Sequence, residues 1–461
     1  MTFVLLALLL AAQVSPWWMP TPDAAMFLSV ARSVAGGDGL RAFGEARLGH
    51  PPGYALLIAP AFWLGERPFL AIAILHWILA VLLMIGVHRW ARRFAPEGAL
   101  LLAALVMVNV SLWIHFRRTL AELAFMTGSV WTVEAMNRVF SARGRPEAAR
   151  SGVAAALLLA VTTLVRETGV LLAVGFVIAA AVRATRSGAT NRWRVPAAAI
   201  VLLAVGSAVA VTFTMRERAT GVGLQGVVGT HLDGLLDPRI PLGPRVAEGL
   251  RLRTSEVGRL LVPGMFKAYG DRWFDWNTAL YVPLAMLIAA GWWRLVRCWP
   301  DPWAFALPFH FAAYSVWGFD AGTRYLLPVL PVLWAAVWFL LPRRPRVPIL
   351  SALLTAHVAV SIGYTLTREI PRARACDRDW PAVDRLAEGL RGAEGRIVLS
   401  DLPECTGLML VFALDRHVPA TSPDRRRDAD WIVDRPEAPI PPGFVMRERA
   451  GAYRLLARQS F

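Results

Sequence analysis

Pro22-Asp23-Ala24-Ala25-Met26-Phe27-Leu28-Ser29-Val30-Ala31-Arg32-Ser33-Val34 opens a polar island that closes with His50-Pro51-Pro52-Gly53-Tyr54 and the apolar run to Pro60. The island begins with an isolated acid, continues through a helical pattern carrying Phe27, Arg32 and Val34, and breaks at Gly36-Gly37. Strongly apolar stretches flank it at residues 2–18 and 68–87. A polar loop with a fixed acid, held between two such stretches, reads as an active-site loop at a membrane surface. The rest of the chain then reads as its scaffold.

Composition sets the class. The chain is 56% hydrophobic, its mean hydropathy is +0.47, and apolar runs recur from end to end, the pattern of a polytopic membrane protein. The 19 tryptophans and 32 prolines agree, since Trp favours the bilayer interface and packed membrane helices tolerate Pro. The +16 net charge is almost entirely arginine, scattered among loops with no single basic stripe. That distribution fits positive-inside loops and anionic headgroups and argues against nucleic acid as a partner. Residues 2–14 lack the basic n-region and small-residue cleavage site of a signal peptide and read as a short first membrane helix.

Apolar spans fall at 2–18, 68–87, 98–114, 120–137, 151–165, 168–183, 196–215, 277–294, 303–317, 325–341 and 347–367, about eleven in all. The expected fold is mainly α: a polytopic transmembrane helical bundle over 1–367 with outer loops 19–67 and 216–276, followed at 368–461 by a small extracytoplasmic α/β domain. Arginine-rich loops around Arg89, Arg143, Arg186, Arg294 and Arg344 alternate with poorer ones. This places the N-terminus in the cytoplasm and the tail outside, on the face of the Asp23 loop, with the bacterial cytoplasmic membrane as the expected location.

The outer face collects the unusual residues: Asp23, His50, Arg117, Arg118, Glu122, Arg166, Glu167, Asp320, Arg324 and the segment 216–276. Charges at membrane-helix ends normally turn toward protein or a wet cavity, so one shared cavity is the economical reading. Within 216–276, Val246, Leu250, Val257, Leu260 and Leu261 recur at near-helical spacing while Arg245, Arg251, Arg253 and Arg259 take other positions. Such a helix lies in the interface or packs on the rest of the protein. Lys267, the single lysine of the chain, follows it.

The tail reads as a helix at 381–390 and strands near 397–399, 431–433 and 453–456. Cys376 and Cys405 both fall in it, where an oxidising compartment would permit a disulfide, and unpaired thiols are the other reading. His76, His310 and His357 sit within apolar spans as interhelical hydrogen bonders, with no second metal ligand at helical spacing. Neither a phosphate loop with lysine nor a nucleophile elbow is present.

A carboxylate just outside a span, with arginines on its face, suits group transfer from an anionic lipid carrier: the acid takes a proton from an acceptor hydroxyl and guanidiniums hold the departing phosphate. The bland alternative makes Asp23 the N-cap of the helix that follows it.

The order of these features resembles the GT-C class of membrane glycosyltransferases, which use polyprenyl-phosphate-linked sugars and include the protein mannosyltransferases and lipid A aminoarabinose transferases. Asp23 to Phe27 with Ala31-Arg32 is similar to their Asp-x-x-x-aromatic juxtamembrane helix, and His50-Pro51-Pro52-Gly53-Tyr54 to their Pro-Pro element. Thr119-Leu120-Ala121-Glu122, Arg166-Glu167-Thr168-Gly169 and Gly322-Thr323-Arg324-Tyr325-Leu326-Leu327-Pro328 resemble later landmarks. The likeness covers roughly the first 345 residues.

The resemblance implies an inverting transferase acting on the extracytoplasmic side. Asp23 would be the general base. Arg324, with Arg166 or Lys267 and beside Tyr325, would bind the carrier phosphate. His50 would line the cavity or hydrogen-bond within the loop. Glu122 and Glu167 would orient loop residues or pair with Arg118 and Arg166. Many relatives carry two adjacent acids where this chain has Asp23-Ala24, so no obligatory metal or cofactor is expected beyond the lipid-linked donor. The acceptor, a glycan, lipid or protein, stays open. Two other readings use the same face: a glycolipid flippase or transporter without transfer chemistry, and a ligase or polymerase of lipid-linked glycans.

Overall fold

The computed structural model describes residues 2–45, 50–187, 242–262, 276–315, 322–393, 395–400, 402, 404–415 and 429–459. Lys267, Asp320 and the span expected at 196–215 lie outside them. In chain order the helices are α1 (Thr2–Ala11), α2 (Pro22–Ala35), α3 (Gly53–Ile58), α4 (Phe69–Ala91), α5 (Ala99–Met107), α6 (Val110–Phe116), α7 (Glu122–Ser141), α8 (Arg145–Val165) and α9 (Val170–Ser187). They continue with α10 (Leu242–Leu261), α11 (Trp276–Cys298), α12 (Pro302–Ser315), α13 (Leu330–Leu340), α14 (Arg343–Tyr364), α15 (Ile370–Arg378), α16 (Trp380–Gly389) and α17 (Glu404–Leu414). Four strands, β1 (Ile397–Leu399), β2 (Trp431–Asp434), β3 (Phe444–Ala450) and β4 (Tyr453–Arg458), complete the chain.

The other expected spans overlap described helices, but a count of about eleven is not shown by them. Among the described residues four helices are long and apolar enough to cross a membrane, or five with α5 and α6 taken as one span bent by 54°. Asn109 causes that bend: its side chain caps α6 by accepting from Ser111 N at 3.0 Å, and Asn is a preferred cap. The first expected span is shorter than its apolar run, because α1 stops at Ala11. On α4, Leu70, Ile74, Ile78, Leu82 and Ile85 form an exposed stripe at helical spacing. In water such a stripe would be a liability, and against lipid chains it costs nothing.

The bundle is closed at the end away from α2 by two acids. Glu134 of α7 holds Arg93 at 2.9 Å, with Arg89 and Arg138 at 3.6 and 3.7 Å. Asp301, fully buried, accepts from Asn137 at 2.7 Å, Trp90 at 3.1 Å and Trp303 N at 2.9 Å. A buried carboxylate with three donors is satisfied and ties three helices at fixed register.

A π turn at Thr365–Glu369 carries α14 into α15. The sheet that follows has the order β1-β2-β4-β3, with β1 and β2 parallel and β4 antiparallel to both its neighbours. A parallel pair needs a crossover, which α17 supplies. The strand β3 was not expected: Phe444-Val445-Met446-Arg447-Glu448-Arg449 is too charged to read as a strand, and a register shift between Met446 and Glu448 interrupts it. Cys376 of α15 and Cys405 of α17 form a disulfide with Cα atoms 6.0 Å apart.

The apolar core of the tail runs on into the Asp23 loop. Phe27, Leu28 and Val30 of α2 and Tyr54 of α3 share one buried cluster with Val383, Leu386, Phe412 and Leu455. Trp18 stacks on Phe69 at 5.1 Å and meets Phe412 edge-on at 5.3 Å. Ser29 donates to Asp415 at 2.6 Å and Arg32 donates to Phe412 O at 2.9 Å. The helix that begins with Asp23 is thus clamped from behind by the tail.

Candidate active site

Asp23 is not the cap of its helix, in contrast to the simpler reading. Thr21, in extended backbone with φ −136° and ψ 157°, caps α2 by accepting from Ala24 N at 3.2 Å. Pro22 fits the first turn, where no N–H is needed, and Asp23 gains from the helix dipole while its side chain stays available.

That carboxylate meets two residues, His50 and Arg324, and through Arg324 it is linked to Glu122 and Arg166. His50 Nε2 donates to Asp23 Oδ1 at 3.1 Å, and the imidazole stacks on Phe27 at 5.2 Å. Arg324 Nη1 donates to Asp23 Oδ2 while its Nε donates to Glu122 Oε1. Arg166 Nη1 donates to the same Glu122 oxygen at 2.7 Å. The result is a line of alternating charge: His50, Asp23, Arg324, Glu122, Arg166. Of the two readings for His50, hydrogen bonding within the loop is the one seen.

The local folding explains the convergence. Gly53 opens α3 where it crosses the end of α8, and a Cβ there would stand 2.5 Å from Leu164 C, so only glycine permits the approach. Arg166 follows α8 in extended backbone with φ −157°, which breaks the helix and points the side chain across to α7. Glu122 starts α7 and is fully buried, with its Oε2 lacking a hydrogen-bond partner among the described residues. Its expected partner Arg118 goes elsewhere, to Glu369 at 3.6 Å: Arg118 precedes Thr119, whose φ of 50° turns the chain.

Tyr325 lies flat on Tyr314, with centroids 4.4 Å apart and planes 7° apart. The Arg166 and Arg253 guanidiniums sit 5.5 and 5.4 Å from its centroid, a cation–π arrangement. Glu167 opens the short turn Glu167–Gly169 beside Arg166. The arginine-bearing helix α10 is packed on the protein instead of lying in the interface. Arg253 and Glu256 are fully buried and paired at 3.0 Å, whereas Leu250 is exposed. Arg253 was placed on the polar side of this helix by the sequence, whereas its partner Glu256 was not singled out. Their signal was the i, i+3 pair of opposite charge on a helix whose polar side has two other elements to face.

The three span histidines are hydrogen bonders. His76 Nδ1 donates to Phe116 O at 3.0 Å, which leaves Nε2 to accept from the Tyr54 hydroxyl at 2.7 Å. His310 donates to Tyr325 O at 2.9 Å and His357 to Leu261 O at 3.3 Å. Among the described residues no group of three or more His, Cys, Asp or Glu side chains is arranged to hold a metal.

Electrostatics set the resting state. Burial by itself pushes the Asp23 carboxyl up, yet the His50 hydrogen bond and the positive charge of Arg324 outweigh it and hold the carboxyl well below the usual range. Asp23 and Arg324 keep 29% and 20% side-chain exposure against none for Glu122. Of the three, Arg324 and Asp23 are the partly exposed members and Glu122 is the sealed one.

No family model matches the chain, and no curated protein matches it. Solved structures do. ArnT from Cupriavidus metallidurans in the apo state is 12% identical, with a TM-score of 0.58 over 99% of this chain and 97% of that one. The same protein bound to undecaprenyl phosphate is 11% identical, with a TM-score of 0.59 and the same coverage. The Archaeoglobus fulgidus oligosaccharyltransferase, in complex with Zn and sulfate, is 14% identical, with a TM-score of 0.54 over 94% of this chain and 68% of that one. The chain has a GT-C-like glycosyltransferase fold, and that fold fits its apolar helices as a polytopic membrane protein.

Proposed function

We propose that the protein is an inverting glycosyltransferase that moves a sugar from a polyprenyl-phosphate carrier to an acceptor on the extracytoplasmic face of a bacterial cytoplasmic membrane. The observation that carries this reading is the single carboxylate of Asp23, free of capping duty and bridged by Arg324 to the buried Glu122–Arg166 pair. Support comes from the GT-C-like fold, from a neighbour of that fold solved with undecaprenyl phosphate, and from the disulfide in the tail, which suits an oxidising compartment.

The carrier phosphate competes with Asp23 for Arg324. Once it is bound, Asp23 loses one of the two partners that depress it and becomes a stronger base. The acceptor oxygen attacks the anomeric carbon and its proton passes to Asp23. The bond between that carbon and the phosphate oxygen breaks on the opposite side, and the electron pair leaves on polyprenyl phosphate, where Arg324 meets the developing charge. Arg166 and Glu122 fix Arg324, and Tyr325 supports Arg166 from below. Positive charge from arginines takes the part a metal would play, so we expect no obligatory metal. Excess EDTA should leave turnover within about twofold, and its abolition would point to a metal-held phosphate instead.

The test is transfer of radiolabelled sugar from cell-derived polyprenyl-phosphate donors by membranes carrying wild type, Asp23→Asn or Arg324→Ala. Donor consumption by wild type, with Asp23→Asn slower by roughly 10²- to 10⁴-fold at normal insertion, is the expected result. An equally active Asn variant removes Asp23 from the chemistry. Wild type that moves labelled lipid between leaflets but transfers no sugar is instead a flippase.

A further inference from the structure

A second concavity of about 750 Å³ opens between the far end of α2, the 3-10 helix Ala59–Leu64 and the tail helices α16 and α17. Arg32 marks it on α2, nine residues after Asp23. At helical geometry that is about 13 Å along the axis and half a turn round, so the cleft faces away from the Asp23 cluster and cannot hold the sugar being transferred.

We propose that this cleft binds a saccharide, namely further sugar units of a glycan-bearing acceptor. The inference deepens the transferase reading and rests on it for the word acceptor. Its walls carry aromatic rings and ionic groups of both signs. Trp63 is 74% exposed, with its indole N–H set toward Ala35 O at 3.4 Å, which leaves an indole face open for the apolar side of a pyranose. Arg32 lies 4.0 Å from the Phe412 ring centroid and Arg67 lies 3.8 Å from that of Trp380. Arg32 gives one Nη to Phe412 O and Arg67 gives one to Asp384 across the cleft, and since stacking occupies the face of a guanidinium and not its edge, the remaining in-plane N–H groups are left for hydroxyls.

Charge decides against the other ligands. Arg32, Arg67 and Arg391 are balanced in the lining by Glu66, Asp384 and Glu388. A phosphate would meet as many carboxylates as cations, and an acyl chain would strip water from all six. Neutral vicinal hydroxyls satisfy both kinds of group, because each diol can donate to a carboxylate and accept from a guanidinium. Ligand pockets with an apolar base and a few convergent polar groups follow this plan.

The test uses the purified full chain in lipid nanodiscs and fluorescently labelled tetrasaccharides of glucose, mannose, galactose and N-acetylglucosamine, read by fluorescence polarisation. At least one should bind. Trp63→Ala and Glu388→Gln, both at exposed positions that leave the fold intact, should each weaken it roughly tenfold, while Asp23→Asn binds as wild type and inorganic phosphate does not compete. Binding of none of the four, indifference to Trp63→Ala, or displacement by phosphate would each overturn the proposal. Donor consumption is measured on the same preparations. Saccharide binding without donor consumption leaves the cleft standing and removes the transferase, whereas consumption without saccharide binding does the reverse.

Discussion

Thr21 relieves Asp23 of a structural task, and the consequence shows in acid. Asp23 is depressed in the fold, so its ion pairs stabilise the protein above the unfolded carboxylate value of about 4 and are lost as pH falls through the lower folded value. As a base it should therefore impose no acid limb on kcat/KM, which reports the free enzyme, between neutrality and about pH 4. His50→Ala removes the hydrogen bond that does most to lower it and should move that limb to higher pH, readable in kcat/KM against pH in the variant. An unmoved profile would mean that His50 does not tune the base. Arg324→Lys keeps the charge but cannot span Asp23 and Glu122 together. It should lose roughly 10²-fold in kcat, measured in the same transfer assay. Asp23, Arg324 and Arg166 were legible in the sequence because an ionic residue beside an apolar span is conspicuous. Their pairing was not, since the partners lie 44 and more residues apart.

Among the elements, α3 and α10 depend on glycines that a side chain would displace. A Cβ at Gly53 would strike the Leu164 carbonyl carbon at 2.5 Å, and one at Gly249 would strike Ser315 O at 1.6 Å. Gly53→Val should cost about 1–3 kcal/mol as overpacking and pull His50 from Asp23. Thermal unfolding of the detergent-purified variant, together with its transfer rate, checks both. Hydropathy located the helices around these glycines and left open whether α10 lies in the interface or packs on the protein. The polar side of α10 faces the protein because Glu256 neutralises Arg253 there, while Leu250 is left outward. Periodicity reports that a helix has two faces and is silent on which one finds a partner.

Across the whole molecule, one apolar cluster joins α2 and α3 to α16, α17 and β4. The disulfide between Cys376 and Cys405 braces α15 and α17 behind α2. Replacing both cysteines with serine should cost about 2–4 kcal/mol, seen as a lower thermal midpoint that reductant no longer changes. A chain ended at 367 should fail to accumulate, because the buried faces of Phe27, Leu28 and Tyr54 would be exposed. Accumulation of a truncated, active form would show instead that the tail is an accessory.

The sequence by itself pointed to a membrane bundle with ionic residues gathered at helix ends, because burial in lipid demands long apolar runs and leaves charges only where they can be solvated or paired. The order of its motifs also pointed to the fold. The tertiary structure alone decided which charges pair, that Thr21 and not Asp23 caps α2, and that the tail clamps α2. Those outcomes turn on contacts between segments up to 386 residues apart, and no local pattern records the geometry that brings such segments within hydrogen-bond reach.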